Sequence, residues 1–307
     1  MRVLFVSSGT STSGITSTVK NQGYSLRENG VEVDFFAVEE KGIKGYLRTI
    51  PKLNKVLREK HYDIVHAHYA MSGFLASLSK AKNIVVSLMG NDVLEKRHFK
   101  YINLLFYIFS WKRVIVKSKG LAKKSYGIKT EVIPNGIDLN RFIPMTKEEV
   151  IPVSGWGGEK KHILFGSNPD RPEKNFCLAE KAINLIDGVD YELHFLKNIP
   201  HEKVGYYYNS ADVVLLTSLW EGSPNVIKEA MACNVPIVTV NVGDVEDVID
   251  NTKGCYIIER DEVKIARKIE EALSFGKRTD GRSKVLDLDR DIIAKRIINI
   301  YKSILKT

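Results

Sequence analysis

Two glutamates and two cations carry the chemistry of this sequence. Glu221 and Glu229 fall within Trp220 to Asp244, WEGSPNVIKEAMACNVPIVTVNVGD. The apolar run Val213 to Leu216 reads as a buried strand ending at Thr217-Ser218, and Gly222-Ser223-Pro224-Asn225 reads as a turn that closes on an Asn N-cap. Helical spacing from Val226 to Cys233, stopped by Asn234 and Pro236, sets Glu229 about one turn into a helix and leaves Glu221 in the turn before it. Helical side chains lean toward the N-terminus, so Glu229 reaches back toward the space that Glu221 faces, where unpaired backbone N–H groups suit an anion. Two carboxylates to accept hydroxyl groups, beside amides for phosphate, fit a sugar and its phosphates. The plainer reading is a surface helix with two solvated glutamates.

Arg171 and Lys174 stand three apart in Ser167-Asn-Pro-Asp-Arg-Pro-Glu-Lys-Asn175, between a strand and a helix. Two cations beside a helix start could stabilise the charge that builds on a departing diphosphate. An ordinary charged loop is the alternative.

The elements that must hold these groups read as two successive α/β series. In the first, strands are expected at Arg2 to Ser7, Val31 to Val38, Asp63 to His68, Asn83 to Leu88, Arg113 to Ser118 and Glu131 to Asn135. In the second they fall at His162 to Ser167, Tyr191 to Leu196, Val213 to Ser218, Pro236 to Asn241 and Cys255 to Glu259. Helical stretches separate them, an alternation that implies parallel, helix-covered sheets. Pro51 should start or kink the helix expected from Gly45 to Lys60. Pro144 to Lys161, with two Pro and three Gly, reads as a linker. The expected division is residues 1–148 and 149–289, with the amphipathic C-terminal helix, 290–307, returning to the first domain. At 307 residues the chain is comfortable for two such domains.

Other candidates for chemistry are weaker. His66 and His68 share a strand face, a spacing that suits a metal, but no third His or Cys lies near them in sequence, and packing is the better reading. Asp287-Leu-Asp289 directly precedes the final helix, where an acidic residue is more simply a helix-start charge. No metal is expected. The loop Ser8 to Gly14 between the first strand and a helix from Ile15 makes a backbone anion site plausible, although it matches neither G-x-G-x-x-G nor the P-loop.

Hydrophobic residues make up 44% and charged residues 27%, ordinary for a soluble globular protein. Cys177, Cys233 and Cys255 lie in apolar segments with no C-x-x-C spacing, which suggests buried thiols, no disulfide and a reducing compartment. The start is too soon broken by Ser and Gly for a signal peptide, and no apolar run approaches the roughly 20 residues of a spanning helix, so a cytoplasmic or peripheral protein is expected. The net charge is +9, and Lys96 to Lys124 alone holds nine Lys or Arg with no Asp or Glu. Between its basic ends lies Tyr101 to Trp111, an apolar and aromatic helix candidate. It suits an anionic membrane surface, at the inner face of the cell membrane, better than a nucleic-acid groove. A core helix with solvated ends is the equal alternative.

The string from Trp220 to Asp244 closely resembles the EG-x-P-x-x-x-x-EA-x-A-x-x-x-P-V signature of glycosyltransferase family 4, whose members are retaining enzymes of the GT-B fold. Asp63-Ile-Val-His-Ala-His68 and Ile133-Pro-Asn-Gly-Ile-Asp138 are similar to further family strings. Asn234 stands where the family usually has Gly, and Asn tolerates the same left-handed helix cap. The resemblance implies two Rossmann-like domains facing a cleft. It implies a nucleotide-diphosphate sugar as donor, UDP ahead of GDP, and a saccharide or lipid-linked saccharide as acceptor. Arg171 and Lys174 would bind the diphosphate without metal or other cofactor, Glu221 the transferred sugar, and Glu229 the ribose. Gly222, Ser223, Pro224 and Asn225 would line the donor site, and Gly14 and Asp92 the acceptor side. The family commonly has a His at the position of Met89, and a thioether can neither donate a hydrogen bond nor hold charge. A sugar-nucleotide epimerase of the same fold needs acid/base groups for which no set is visible, and a non-catalytic nucleotide-sugar binder would not need Glu221 and Lys174. These two remain the alternatives.

Overall fold

The computed structural model describes residues 1–10, 14–94 and 99–306. The chain divides into two compact units, Met1–Gly136 with Arg290–Thr307, and Ile137–Asp289. The change of unit falls at Gly136, ahead of the expected boundary at 148.

Unit 1 runs β1 (Arg2–Ser8), α1 (Ser17–Glu28), β2 (Glu32–Val38), α2 (Gly42–Glu59), β3 (Ile64–His68), α3 (Ala70–Leu78) and β4 (Ile84–Leu88). It continues through α4 (Asn91–Leu94), α5 (Phe99–Phe109), β5 (Trp111–Val116), α6 (Lys119–Lys124) and β6 (Thr130–Val132). The six strands form one parallel sheet in the order β2-β1-β3-β4-β5-β6. β3 and β4 are buried at every position, which is why apolar side chains occupy both faces of each strand, broken only by His66, His68 and Ser87. Pro51 lies inside α2 and does not begin it. Trp111 opens β5 instead of closing the helix before it.

Unit 2 runs α7 (Lys147–Ser154), β7 (Lys161–Phe165), α8 (Phe176–Ile183), β8 (Tyr191–Phe195), α9 (Val204–Ser210) and β9 (Val213–Leu216). Then follow α10 (Asn225–Ala232), β10 (Ile237–Val240), α11 (Val245–Ile249), β11 (Cys255–Ile258), α12 (Glu262–Phe275) and α13 (Gly281–Lys284). The five strands pair in parallel in the order β11-β10-β9-β7-β8. The segment expected to be a linker contains α7. Its start is fixed by Glu149, whose carboxylate accepts the Thr146 N–H at 2.7 Å, and its end by Gly155 in the left-handed region at φ +74°. Asn234 likewise takes φ +57° after α10, as its Gly-like position requires.

The last helix, α14 (Arg290–Leu305), belongs to unit 1 and packs along α1. Ile293, Ala294, Ile297, Ile298, Tyr301 and Ile304 form its buried stripe. The Ser25 hydroxyl donates to the Arg290 carbonyl at 2.8 Å, and Arg296 donates to the Val132 carbonyl at 2.8 Å. Cys233 is buried and Cys255 partly so, but Cys177 is exposed on α8, where the first turn of the helix points it outward, contrary to the expectation of three buried thiols. Among the described residues no helix is long and apolar enough to cross a membrane.

Candidate active site

In the second sheet β7 lies between β8 and β9, so the chain leaves β7 in one direction and later returns on its other side. At such a switch point the loops that follow the two central strands diverge and leave room for a ligand at their carboxyl ends. Lys174 follows β7 and Glu221 follows β9. Their loops are stitched together by the Thr217 hydroxyl, which donates to the carbonyls of Lys174 at 3.1 Å and Asn175 at 2.9 Å. The Leu219 N–H adds a bond to the Glu173 carbonyl at 2.9 Å. From beyond β11 the Arg260 guanidinium donates to the carbonyls of Ser218 at 3.0 Å and Leu219 at 2.7 Å.

This scaffold brings the Lys174 ammonium onto Glu221 Oε1, and the Ser218 hydroxyl donates to the same oxygen at 2.9 Å. Both side chains are largely buried, at 10% and 17% exposed. Arg171 is not gathered with them. Its side chain is 55% exposed and its guanidinium donates to Glu173 Oε1, through Nε at 2.8 Å.

The turn before α10 differs from its expected form. Pro224 occupies the N-cap and Asn225 is already helical, so its carboxamide cannot reach the amides that a capping side chain serves. The Asn225 Oδ1 is buried without a hydrogen-bond partner. Ser223 faces inward and donates to Asp244 Oδ2 at 2.7 Å, while the fully buried Lys228 ammonium meets the same oxygen at 2.9 Å. Burial lowers the Lys228 pKa, and the attraction of Asp244 opposes that shift. Gly243, at φ +64°, lets the loop after β10 touch this turn, since a Cβ there would stand 2.9 Å from the Gly222 carbonyl oxygen. A Ser223, Lys228 and Asp244 clamp therefore fixes the turn from beneath, and the Ser223 hydroxyl is committed to it.

Glu229 projects from α10 with only 8% exposure. The Tyr208 hydroxyl on α9 donates to its Oε2 at 2.8 Å. Burial pushes the Glu229 carboxyl up to about 7, overriding the Tyr208 bond and the nearby Arg141 and Lys228 charges. Tyr208, Thr217, Ser218, Lys228, Asp244 and Arg260 were not singled out from sequence. Of these, only Asp244 and Lys228 lie within Trp220 to Asp244.

In unit 1, Gly14 takes φ +76°, a conformation that favours glycine, while Ser11, Thr12 and Ser13 of the same loop lie outside the described residues. Asp92 is buried and its carboxylate accepts the N–H groups of Ala70 at 3.0 Å, Met89 at 3.0 Å and Gly90 at 2.9 Å. It thus ties the loop after β4 to the start of α3. Burial raises its pKa to about 6 against the pull of those amides. His66 bonds to the Tyr301 hydroxyl and to Ser87 Oγ at 2.8 Å, and its ring stacks on His68 at 4.4 Å. This pair is packed into the core.

Two parallel α/β units, with the final helix returned to the first, define the GT-B class of protein. Sucrose-phosphate synthase from Thermosynechococcus elongatus superposes with a TM-score of 0.80 at 18% identity, over 100% of this chain and 99% of that one. HepE from Anabaena, solved with UDP-glucose, gives 0.78 at 15% identity over 99% of this chain and 100% of that one. The family model "Glycosyltransferase Family 4" matches residues 12–141, and "Glycosyl transferases group 1" matches residues 158–274. The chain belongs to glycosyltransferase family 4. It is 30% identical over 246 residues to TuaC of Bacillus subtilis (strain 168), a glycosyltransferase assigned to teichuronic acid biosynthesis, covering 71% of this chain and 62% of TuaC. It is 25% identical to the UDP-Gal:alpha-D-GlcNAc-diphosphoundecaprenol alpha-1,3-galactosyltransferase of Escherichia coli, covering 71% of this chain and 67% of that enzyme.

Proposed function

We propose that the protein is a retaining glycosyltransferase. It moves a sugar from a nucleotide diphosphate to an acceptor hydroxyl, in the synthesis of a bacterial surface polysaccharide or glycolipid. The observation that carries this reading is the Lys174 and Glu221 pair at the switch point of the second sheet. A diphosphate entering beside the start of α10 draws the Lys174 ammonium and frees Glu221 to accept hydroxyls of the transferred sugar. Arg171, exposed and paired among the described residues with Glu173, can swing to the same phosphates. The two cations then stabilise the charge that develops on the leaving oxygen, without a metal or other cofactor. The acceptor hydroxyl attacks on the face from which the diphosphate departs, and its proton passes to the leaving phosphate oxygen. No protein nucleophile is required, and Met89 supplies neither acid nor base. Glu229 accepts the ribose hydroxyls.

UDP is preferred to GDP as the carrier, in line with the UDP-sugar in the name of the E. coli relative and the UDP-glucose in the HepE structure. The acceptor is a saccharide or a lipid-linked saccharide, with Gly14 and Asp92 on its side. Incubation with a panel of UDP- and GDP-sugars tests the reading by slow release of the nucleotide diphosphate. UDP release that falls sharply in Lys174→Ala is expected. Absence of both hydrolysis and nucleotide binding across the panel overturns it.

A peripheral contact with anionic membrane at the cytoplasmic face fits the same reading. Lys96 and Arg97 of the basic run lie outside the described residues. On α5, Leu104, Phe106 and Tyr107 pack inward, yet Tyr101, Leu105, Ile108 and Phe109 stay exposed, Phe109 by 79%. A helix that is apolar on its solvent side calls for a further apolar surface. Lys100 lies over the rings of Tyr101 at 4.8 Å and Tyr126 at 5.5 Å, and Lys112, Lys123 and Lys124 are exposed nearby in sequence. That composition suits an anionic lipid headgroup layer.

A further inference from the structure

β7 and β8 pair so that His162 stands opposite Glu192 and Leu164 opposite His194. Residues two apart on a strand share a face, so His162, Glu192 and His194 project from the same side of the sheet. His162 Nδ1 and His194 Nε2 are 3.0 Å apart, and Glu192 Oε2 lies 3.9 Å from the first and 3.8 Å from the second. The other Glu192 oxygen faces Lys160 at 3.8 Å, which leaves Oε2 to the imidazoles. Trp156 stacks flat on the His194 ring at 3.7 Å, and Tyr207 meets Trp156 edge-on at 5.1 Å. The aromatic wall holds His194 in place. Exposure rises from His162 at 3% through His194 at 15% to Glu192 at 48%, so the group opens to solvent on its carboxylate side.

We propose that His162, Glu192 and His194 form a binding site for a divalent transition-metal ion of the zinc class, clamping the edge strand β8 to β7. Two imidazole nitrogens and one carboxylate oxygen form a three-ligand set with a fourth position open to water. With metal–ligand distances of about 2.0 to 2.2 Å, donor atoms in a tetrahedral set stand about 3.3 Å apart. The two nitrogens, 3.0 Å apart, need open by only about 0.3 Å. Glu192 must close by about half an ångström, which an exposed side chain can do. Burial lowers the pKa of both histidines, that of His194 to about 4, so both rings are neutral at neutral pH and offer lone pairs without releasing a proton to solvent. One ring now donates N–H to the other, and on metal entry that ring moves its proton to its remaining nitrogen. His162 lies near the start of β7, whereas Lys174 follows its end, so the ion is assigned no part in sugar transfer.

The test uses the full chain freed of metal by chelator dialysis and titrated with zinc chloride by calorimetry and thermal unfolding. One zinc per chain, with affinity on the order of micromolar or tighter and a raised Tm, is expected. His194→Phe keeps the stack on Trp156 but removes a ligand, and should abolish binding. Glu192→Gln, at an exposed position, should weaken it at least tenfold. Nickel or cobalt at this site should quench Trp156 fluorescence, and Trp156→Phe should lose that quenching while still binding metal. No saturable binding, or binding that survives both His194→Phe and Glu192→Gln, overturns the proposal.

Discussion

The Lys174 ammonium and the Glu221 carboxylate, far apart in sequence, close on each other at the ends of adjacent strands β7 and β9, with the Ser218 hydroxyl on the same oxygen. The pair is self-neutralising in the absence of a ligand, and this explains how a nearly buried lysine is tolerated beside a helix start. A diphosphate offers Lys174 a stronger partner. Lys174→Ala should therefore lower turnover on the order of a hundredfold, the usual cost of losing a transition-state donor, while leaving the fold intact. Steady-state kinetics beside a melting curve make the check. Normal turnover with an unchanged Tm would remove Lys174 from the mechanism.

The exposed face of α5 predicts salt-sensitive membrane binding. Each Lys or Arg close to an anionic surface contributes about 1 kcal/mol, so several together should bring the protein down with anionic vesicles at low salt and release it at high salt. Ile108→Asp with Phe109→Ser should abolish sedimentation without lowering the Tm, because both side chains are exposed. Equal recovery in the supernatant with and without lipid, at either salt, counts against the contact.

The return of α14 to unit 1 predicts that the C-terminal helix is part of that unit's core. Tyr301 is fully buried and bonded to His66 on β3, so Tyr301→Phe leaves no cavity but takes away a buried hydrogen-bond partner, at about 1 to 3 kcal/mol. Tyr301→Ala should cost more, about 3 to 5 kcal/mol. Denaturant unfolding of both variants tests the order. If the two were equal, or deletion of residues 290–307 left the Tm unchanged, α14 would contribute nothing to unit 1.

The strands are legible for two reasons: central ones such as β9 and β10 are short, wholly buried and mainly apolar runs, and edge ones such as β2 and β8 are aromatic- and Val-rich segments between turn residues. α7 is not, since Pro152 and the glycines after it outweigh the Thr146-x-x-Glu149 start signal. Glu221, Glu229 and Lys174 are legible through residue type and local spacing together with the family string around them. Their supports are not, because Thr217, Arg260 and Tyr208 reach the site only through sheet order. The same holds for His162, Glu192 and His194, which register alone brings together. The histidine pair that the sequence does show is His66 and His68, two apart on one strand face.

Glu229 joins stability to function with opposite signs. Its folded carboxyl is raised to about 7, above the ordinary carboxyl range, so between those limits the folded chain keeps a proton that the unfolded chain has lost. Stability is therefore highest below the unfolded value and falls as pH rises toward 7, by about 3 kcal/mol in full at roughly 1.4 kcal/mol per pH unit. Glu229→Gln removes the titration and can still accept from Tyr208. It should unfold at higher denaturant than the parent at pH 8 and nearly alike at pH 5. The charged carboxylate is also the better acceptor for two ribose hydroxyls, a contact equal in ground and transition states, so Glu229→Gln should weaken UDP and the UDP-sugar alike, by tenfold or more. Parent affinity for UDP should fall more steeply than the variant's as pH drops below 7, the variant keeping only the dependence that the terminal phosphate of UDP itself brings at about pH 6. Glu221→Gln should instead leave UDP affinity almost unchanged and lower turnover with the intact donor. Calorimetry with UDP across pH 5 to 8 on both variants decides between the residues. Loss of UDP affinity in Glu221→Gln but not in Glu229→Gln would reverse their roles, and a Glu229→Gln protein no more stable than the parent at pH 8 would show that burial does not hold the proton there.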